Sequence, residues 1–438
     1  MADYNIRDFG AVGDGQTNDA AAIQQAIDAC GAAGGGRVIV PAGKTYRAGS
    51  FAMKSNVELH VERGATLAAS GNAADFQTIS NPQAYIAFIT AENAENVAIS
   101  GGGVIDGGGQ HFITERLPYI YRMSRARPFT LFFINCQRVT MRDITFRDGA
   151  VWTARLTGCQ DVVIHAIRIL NDLMVPNCDG IDIDHCRNVR ISDCHIESGD
   201  DCICLKTCGE SGASGACENV TVTGCTLVST STALNIGCEA HAPMRNVVFD
   251  SCVIQATHRG LGIHLSHESD VENVIFSNMI VETRIFERAW WGQAEPIYVV
   301  ALPWTAEDQI GHIRHVRFSN ILCRGENGVF ILGAEQDRIE DIVLSDVRVE
   351  INKTSKWPGG QQDLRPCPGE MMPEHPTVGF YIKNATNVTL RNCEVAWGEN
   401  RPDYFQAALE SDNVAGLTLE NFKGESAHPG KYAAVVRG

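Results

Sequence analysis

From residue 93 onward the polar and hydrophobic positions repeat one pattern: a polar residue, a short β-branched strand, then a second short strand. It runs through ENVAISGGGVIDG, CQRVTMRDITFRD, CQDVVIHAIRILND and CRNVRISDCHIESGDD, and continues through MRNVVFDSCVIQATHRG, VENVIFSNMIVETR and ATNVTLRNCEVAWG. The marker residues Val162, Val189, Val220, Val247 and Val274 stand 27, 31, 27 and 27 residues apart. No amphipathic helix fits between the strands, which excludes repeated βαβ units. Short strands at this period predict a solenoid in which each turn stacks on the last. Five residues after the marker position come Cys194, Cys225, Cys252, Met279, Ile321, Val347 and Cys393. Like residues at one angular position predict an interior ladder, with coils about 4.7–4.9 Å apart. The expected fold is all-β, a right-handed parallel β-helix, with residues 1–438 as a single domain.

The first ninety-two residues read as a cap and the first coils. AAAIQQAIDACGAAGGG carries apolar residues at helical spacing, Asp19 near its start and glycines at its end, which predicts a helix over 17–32. A solenoid's first coil exposes an open edge, so a capping element is expected there. GGRVIVPAGKTYRAGS then supplies the first coils, residues 93–427 the repeated ones, and 428–438 a C-terminal tail. Stretches near 286–304 and 352–376 interrupt the repeat and are expected to project as loops over one face.

Composition narrows the function. A net charge of −16 argues against a nucleic-acid partner, because phosphate binding needs a basic footprint. No segment approaches the roughly 18 apolar residues of a membrane span, so no membrane partner is expected. The start, MADYNIRDFG, lacks the basic and apolar regions of a secretory leader. A cytoplasmic location is the expectation, with a trimmed secreted or periplasmic protein as the alternative; oligomeric state stays open. The 16 cysteines follow the repeat, so they read as buried thiols, ahead of a disulfide framework or a metal site. Cys202, Cys204, Cys208 and Cys217 are the tightest group, but its first two members would share one face of a strand, a poor start for tetrahedral zinc.

The chemistry-bearing residues cluster mid-chain in Asn177-Cys178-Asp179-Gly180-Ile181-Asp182 and Gly199-Asp200-Asp201-Cys202. Asp179 and Asp200 are 21 residues apart, close to one coil, so these acids should sit on neighbouring rungs. Crowded carboxylates oppose each other's ionisation, so one can stay protonated as an acid while another acts as a base. Glycoside hydrolysis uses that division of labour. A single aspartate in a β-helix turn more often satisfies turn backbone. Three on adjacent coils beside glycines favour chemistry.

The chain resembles glycoside hydrolase family 28, the polygalacturonase and rhamnogalacturonase family, whose fold is the pectin-lyase-like β-helix. The opening DFGAVGDGQTND, the stretch GGGRVIVPAGKTY and the segments NCDGIDID and SGDDCICLKT carry the likeness. The family's Asn-x-Asp motif falls on Asn177 and Asp179, and its Gly-Asp-Asp motif on Gly199, Asp200 and Asp201. The resemblance implies an inverting hydrolase with Asp200 as general acid and Asp179 and Asp201 activating water. No cofactor or metal is implied. Inversion generally places the carboxyl groups about 6.5–9.5 Å apart.

Two departures stand out. Thr232 occupies the place of the family's Gly-His-Gly histidine, and Gly262-Ile263-His264 replaces its Arg-Ile-Lys, whose basic pair binds a galacturonate carboxylate. Poor activity on unbranched polygalacturonate follows, relative to another α-linked glycoside such as a rhamnogalacturonan fragment. The substrate-contact candidates are Asn177, Trp152, Thr232, Glu239, Arg259, His264, Trp291, Glu295 and Tyr298, with His241 and Trp290 close by in sequence. Trp152 precedes Asp179 by one coil and offers a stacking face, although paired tryptophans such as Trp290 and Trp291 more often serve packing. The two inserts favour exo action on a pectic poly- or oligosaccharide. The alternatives are a hydrolase of a neutral glycan, a polysaccharide lyase, and a non-catalytic carbohydrate-binding β-helix. The glycines at 10–15 lack the strand–helix context of a nucleotide site.

Overall fold

The computed structural model describes residues 2–79 and 83–438. The fold is an all-β, right-handed parallel β-helix with one α-helix among the described residues, at Ala20–Ala32. The chain divides into two compact units, residues 1–203 with 208–215, and residues 204–207 with 216–438.

In the first unit the marker valines stack in register: Val97 on Val139, Val139 on Val162, and Val162 on Val189. A second line of strands carries Val104–Asp106, Thr145–Arg147, Arg168–Leu170 and His195–Ser198. A third carries Ala87–Glu92, Phe129–Ile134, Ala154–Thr157 and Ile181–Asp184. Every pairing along these lines is parallel; side chains alternate between the packed interior and the outside on the first two lines, whereas Phe129–Ile134, Ala154–Thr157 and Ile181–Asp184 on the third are buried throughout. The second unit repeats the scheme, with Val220, Val247, Val274, Val316, Ile342 and Val388 in one column. Met279, Ile321 and Val347 form the expected second column. Phe249, Phe276 and Phe318 stack within the interior at 4.8 and 4.9 Å between ring centroids, matching the coil spacing.

The polar residue that opens each repeat has a backbone reason. Asn96, Arg138, Asp161, Asn188, Asn219, Asn246 and Asn273 all hold φ between 54° and 58°, the left-handed corner that turns the chain onto its next face. Asn and Asp tolerate that conformation better than other side chains. The amides also form ladders, with Asn246 Nδ2 donating to Asn219 Oδ1 at 3.1 Å and Asn273 Nδ2 to Asn246 Oδ1 at 3.3 Å. A second left-handed corner falls at Asp193, Gly224, Ser251 and Asn278, one residue before the Cys/Met column.

The helix begins later than the predicted 17–32, because Asp14–Asn18 forms a strand beside Thr45–Ala48. Its buried face is Ala22, Ile23, Ala26, Ile27 and Cys30. Asp19 does not cap it. The Asp19 carboxylate instead accepts the N–H groups of Val12 and Gly13, at 2.8 and 3.1 Å. The insert near 286–304 is also shorter than expected: Glu295–Ala301 is a fully buried strand paired with Arg259–Leu265. Residues 352–376 do form a long connection, between the strands Ile339–Ile351 and Phe380–Arg391. None of the sixteen cysteines forms a disulfide, and the column residues Cys194, Cys225 and Cys252 are buried.

Candidate active site

The acids gather in the first unit because three stretches of backbone stack there. Thr153 N–H donates to Asp179 O, and Gly180 N–H to Asp201 O, both at 2.9 Å. The motif glycines are demanded by this stacking. A Cβ on Gly180 would lie 2.3 Å from Cys202 O, and one on Gly199 would lie 2.1 Å from Val175 O. Asn177 sits at φ 53°, where asparagine is tolerated.

This arrangement brings oxygens of Asp179, Asp200 and Asp201 within 4.8 Å of one another. Asp179 and Asp201 are buried, while Asp200 is half-buried. The Asp200 carboxylate accepts the Asn177 N–H at 3.2 Å and the Asp201 N–H at 3.1 Å. The buried Ser198 hydroxyl donates to Asp200 O at 2.7 Å, fixing the turn. The nearest oxygens are closer than the 6.5–9.5 Å expected between carboxyl groups, since the acids lie on consecutive coils and at consecutive positions. One water accepted by two oxygens at about 2.7–2.8 Å each spans about 4.4–4.8 Å between them, so two of these carboxylates can share a single water. Three oxygens at this spacing also suit a hard divalent cation.

Around the acids, Trp152 is half-buried and directly precedes Thr153. Its ring stands edge-on to Phe129, 5.9 Å between centroids, and 4.7 Å from the Arg155 guanidinium. Arg155 is itself buried and pairs with Asp184 at 3.0 Å. The Asp184 carboxylate also accepts Thr157 Oγ1–H at 3.0 Å and the Cys208 N–H at 2.9 Å. The Trp152 ring is therefore backed by a fixed cation.

Arg127 was not signalled by any motif. Its Nη1 donates to Ala150 O at 2.7 Å and Pro176 O at 2.8 Å, and its Nη2 to Asn177 Oδ1 at 3.1 Å. Burial pushes its pKa below the ordinary arginine value, and the neighbouring Cys178, Asp179 and Asp200 oppose that shift. It comes from the segment after an antiparallel hairpin, Ile113–Arg116 with Tyr121–Met123, which docks through Tyr121 N–H on Met174 O at 2.8 Å.

The remaining candidates belong to the second unit, and most have internal partners. Arg259, Glu295 and Tyr298 are 2%, 1% and 0% exposed, so they are buried within the unit, and Glu295 and Tyr298 do not sit on an overhanging loop. The Arg259 guanidinium lies 3.5 Å from the Tyr298 ring centroid, 3.6 Å from Glu295 and 4.0 Å from Asp363. The Tyr298 hydroxyl donates to Asp363 O at 2.9 Å. Arg365 pairs with Asp363 at 2.7 Å, so this network ties the strand Glu295–Ala301 to the 352–376 connection. Burial raises the Glu295 pKa against the pull of Arg259. Burial would also raise that of Asp363, but hydrogen bonding from Arg365 and the charges of Arg259 and Arg365 hold it below the usual range.

His264 is buried 5.7 Å from the Tyr298 ring, and burial lowers its pKa to about 3, so it is neutral at physiological pH. Thr232 is buried in register with Arg259. A Cβ on Gly262 would meet Asn235 Oδ1 at 2.6 Å and Thr232 Cγ2 at 3.1 Å, so these residues leave no room for a long side chain at 262. Glu239 is half-buried and pairs with Lys206 at 3.2 Å. His241 is exposed, its imidazole 3.2 Å from the Glu268 carboxylate. Trp290 is buried and Trp291 half-buried.

A probable polygalacturonase of Vitis vinifera is 33% identical to this chain over 222 residues, covering 46% of this chain and 44% of that protein. An exo-poly-alpha-D-galacturonosidase of Dickeya chrysanthemi is 37% identical over 119 residues, covering 24% and 19%. The chain thus spans less than half the length of these curated relatives. Among solved structures, a hyperthermoactive exopolygalacturonase from Thermotoga maritima superposes with a TM-score of 0.71 at 22% identity, over 92% of this chain and 93% of that one, which is a likeness of fold. Residues 30–357 match the model of glycosyl hydrolases family 28, and the chain belongs to that family.

Proposed function

We propose that this chain hydrolyses an α-glycosidic bond in a pectic poly- or oligosaccharide, of galacturonate or rhamnogalacturonan type, by exo action and with inversion at the anomeric carbon. The observation that carries this reading is the convergence of Asp179, Asp200 and Asp201 within 4.8 Å, with only Asp200 partly open to solvent. Asp200 gives its proton to the departing glycosidic oxygen. Asp179 and Asp201 hold and deprotonate one water, which attacks the anomeric carbon from the opposite face. Trp152 offers its ring face to a sugar next to these acids.

Exo action is supported by the names of the Thermotoga and Dickeya relatives and by the hairpin 113–123, which builds a wall beside the segment leading to Asn177. Gly262 and His264 in place of a basic pair favour a rhamnogalacturonan-type substrate over unbranched polygalacturonate.

The test incubates the protein with a panel of pectic and neutral oligosaccharides and identifies the first sugar released. A single terminal sugar, with inverted configuration in the first-formed product by NMR, is expected. A retained anomer would remove Asp200 from the acid role. An unsaturated product absorbing in the near ultraviolet would replace hydrolysis with elimination.

A further inference from the structure

Arg127 has the form of a ligand-binding cation as well as a structural one. Its guanidinium has five N–H groups in a rigid plane. Three go to Ala150 O, Pro176 O and Asn177 Oδ1, which fix the plane. Nε–H and one hydrogen of Nη2 have no acceptor among the described residues. An anchored fork with two remaining donors suits a carboxylate, which accepts two N–H groups at once. The location is specific, because Asn177, which accepts from Arg127, in turn donates its own N–H to the Asp200 carboxylate. Arg127 is half-buried, so an anion reaching it would be partly shielded from water, where a charged hydrogen bond is stronger.

The other cations considered for this job are committed elsewhere. Arg259 is closed against Glu295, Asp363 and the Tyr298 ring, and Lys206 pairs with Glu239. His264 is neutral at physiological pH through burial. We propose that Arg127 binds the carboxylate of a uronic-acid residue seated beside Asp179 and Asp200, supplying in this chain the cation that Gly262 and His264 do not. Selectivity for a uronate then resides on the segment that follows the hairpin Ile113–Arg116 with Tyr121–Met123. The inference rests on the pectic reading above and deepens it.

The experiment compares trigalacturonate and a rhamnogalacturonan oligosaccharide, each beside its carboxyl-reduced form, with the unaltered protein, Arg127→Gln and Arg127→Lys. The unaltered protein is expected to prefer the carboxylate form of whichever substrate it cleaves. Arg127→Gln should lower kcat/KM on that form by about 10- to 100-fold, the range for hydrogen bonds to a charged partner. The reduced form should lose several-fold less, because it feels only the loosened Asn177 contact to Asp200, so the preference collapses. Arg127→Lys, which keeps the charge but not the fork, should fall between.

An equal loss on both forms would overturn the inference and leave Arg127 as a backbone staple for Ala150 and Pro176. Unchanged rates on both would overturn it as well. If the unaltered protein cleaves none of the four substrates, the pectic reading itself fails and the inference falls with it. If cleavage is sound and only the preference survives substitution, the inference alone fails.

Discussion

Two charged clusters on this fold are assembled from similar residues to opposite ends. Asp179, Asp200 and Asp201 bring three like charges within 4.8 Å of one another, and Asp200 remains half-buried. In the second unit, Arg259, Glu295, Asp363 and Arg365 alternate in sign, and the first three are sealed from solvent. Like charges held close cost free energy, and an arrangement kept at that cost is expected where the carboxylates act on a substrate. Opposite charges sealed together have given up hydration for each other, which fixes geometry and leaves little to offer a substrate. Residue type alone therefore does not assign function here; exposure and the sign of the neighbour do.

The comparison breaks most sharply at Asp200. Asp200→Asn should lower kcat by about 10²–10⁴-fold, the usual contribution of general acid–base assistance, because an amide cannot donate the same proton. Asp179→Asn and Asp201→Asn should also be severe, since the attacking water would lose a correctly placed acceptor. All three should keep their fold by circular dichroism, because the amide is close to isosteric with the carboxylate and its oxygen still accepts a hydrogen bond. Near-normal turnover in Asp200→Asn would leave the fold assignment standing and remove the acid.

The sealed cluster should respond in stability. Arg259→Met strands Glu295 as a buried carboxyl without this cation, while Asp363 keeps Arg365, and loss of one partner of a buried pair costs about 3–5 kcal/mol. Chemical denaturation would measure it. A loss under about 1 kcal/mol would place Arg259 among weakly coupled surface pairs instead. The cluster also predicts an acid limb. Asp363 is held below its ordinary pKa in the folded chain, so the unfolded chain binds its proton first as pH falls. Its contribution is present above the unfolded carboxyl value of about 3.9 and is lost as pH drops through the lower folded value. Asp363→Asn should flatten that limb of the stability curve.

These outcomes follow the boundary of what the sequence makes legible. The coils were readable because each corner forces a left-handed residue, so Asn or Asp recurs before a β-branched strand. The acid motif was readable because Gly180 and Gly199 admit no Cβ against the next coil, which marks their neighbouring aspartates. The strand Glu295–Ala301 was misread as overhanging loop because EPIYVVA lacks the corner signal and follows an irregular segment. Only pairing with Arg259–Leu265 shows that it is interior. Arg127 lies 50 residues before Asn177 in an irregular segment, and nothing local in RARPF points to the acids. The helix start was misplaced because Asp19 looks like a cap while its carboxylate serves the Val12–Gly13 turn.

The smallest expected effect concerns metal ions. Three carboxylate oxygens within 4.8 Å would also attract a hard cation such as calcium. Two features argue that acid–base chemistry is the better use of this geometry. Asp200 already accepts two backbone N–H groups, leaving fewer directions for a metal, and the Arg127 guanidinium beside Asn177 places a positive charge nearby. A cation bound across the acids would also hold Asp200 ionised and remove the proton it must donate. Chelation with EDTA should therefore leave the initial rate unchanged, and added calcium should slow turnover if it acts at all. A rate that fell on chelation and returned with calcium would reverse the assignment, making the three aspartates ligands and pointing to metal-assisted chemistry at the same coils.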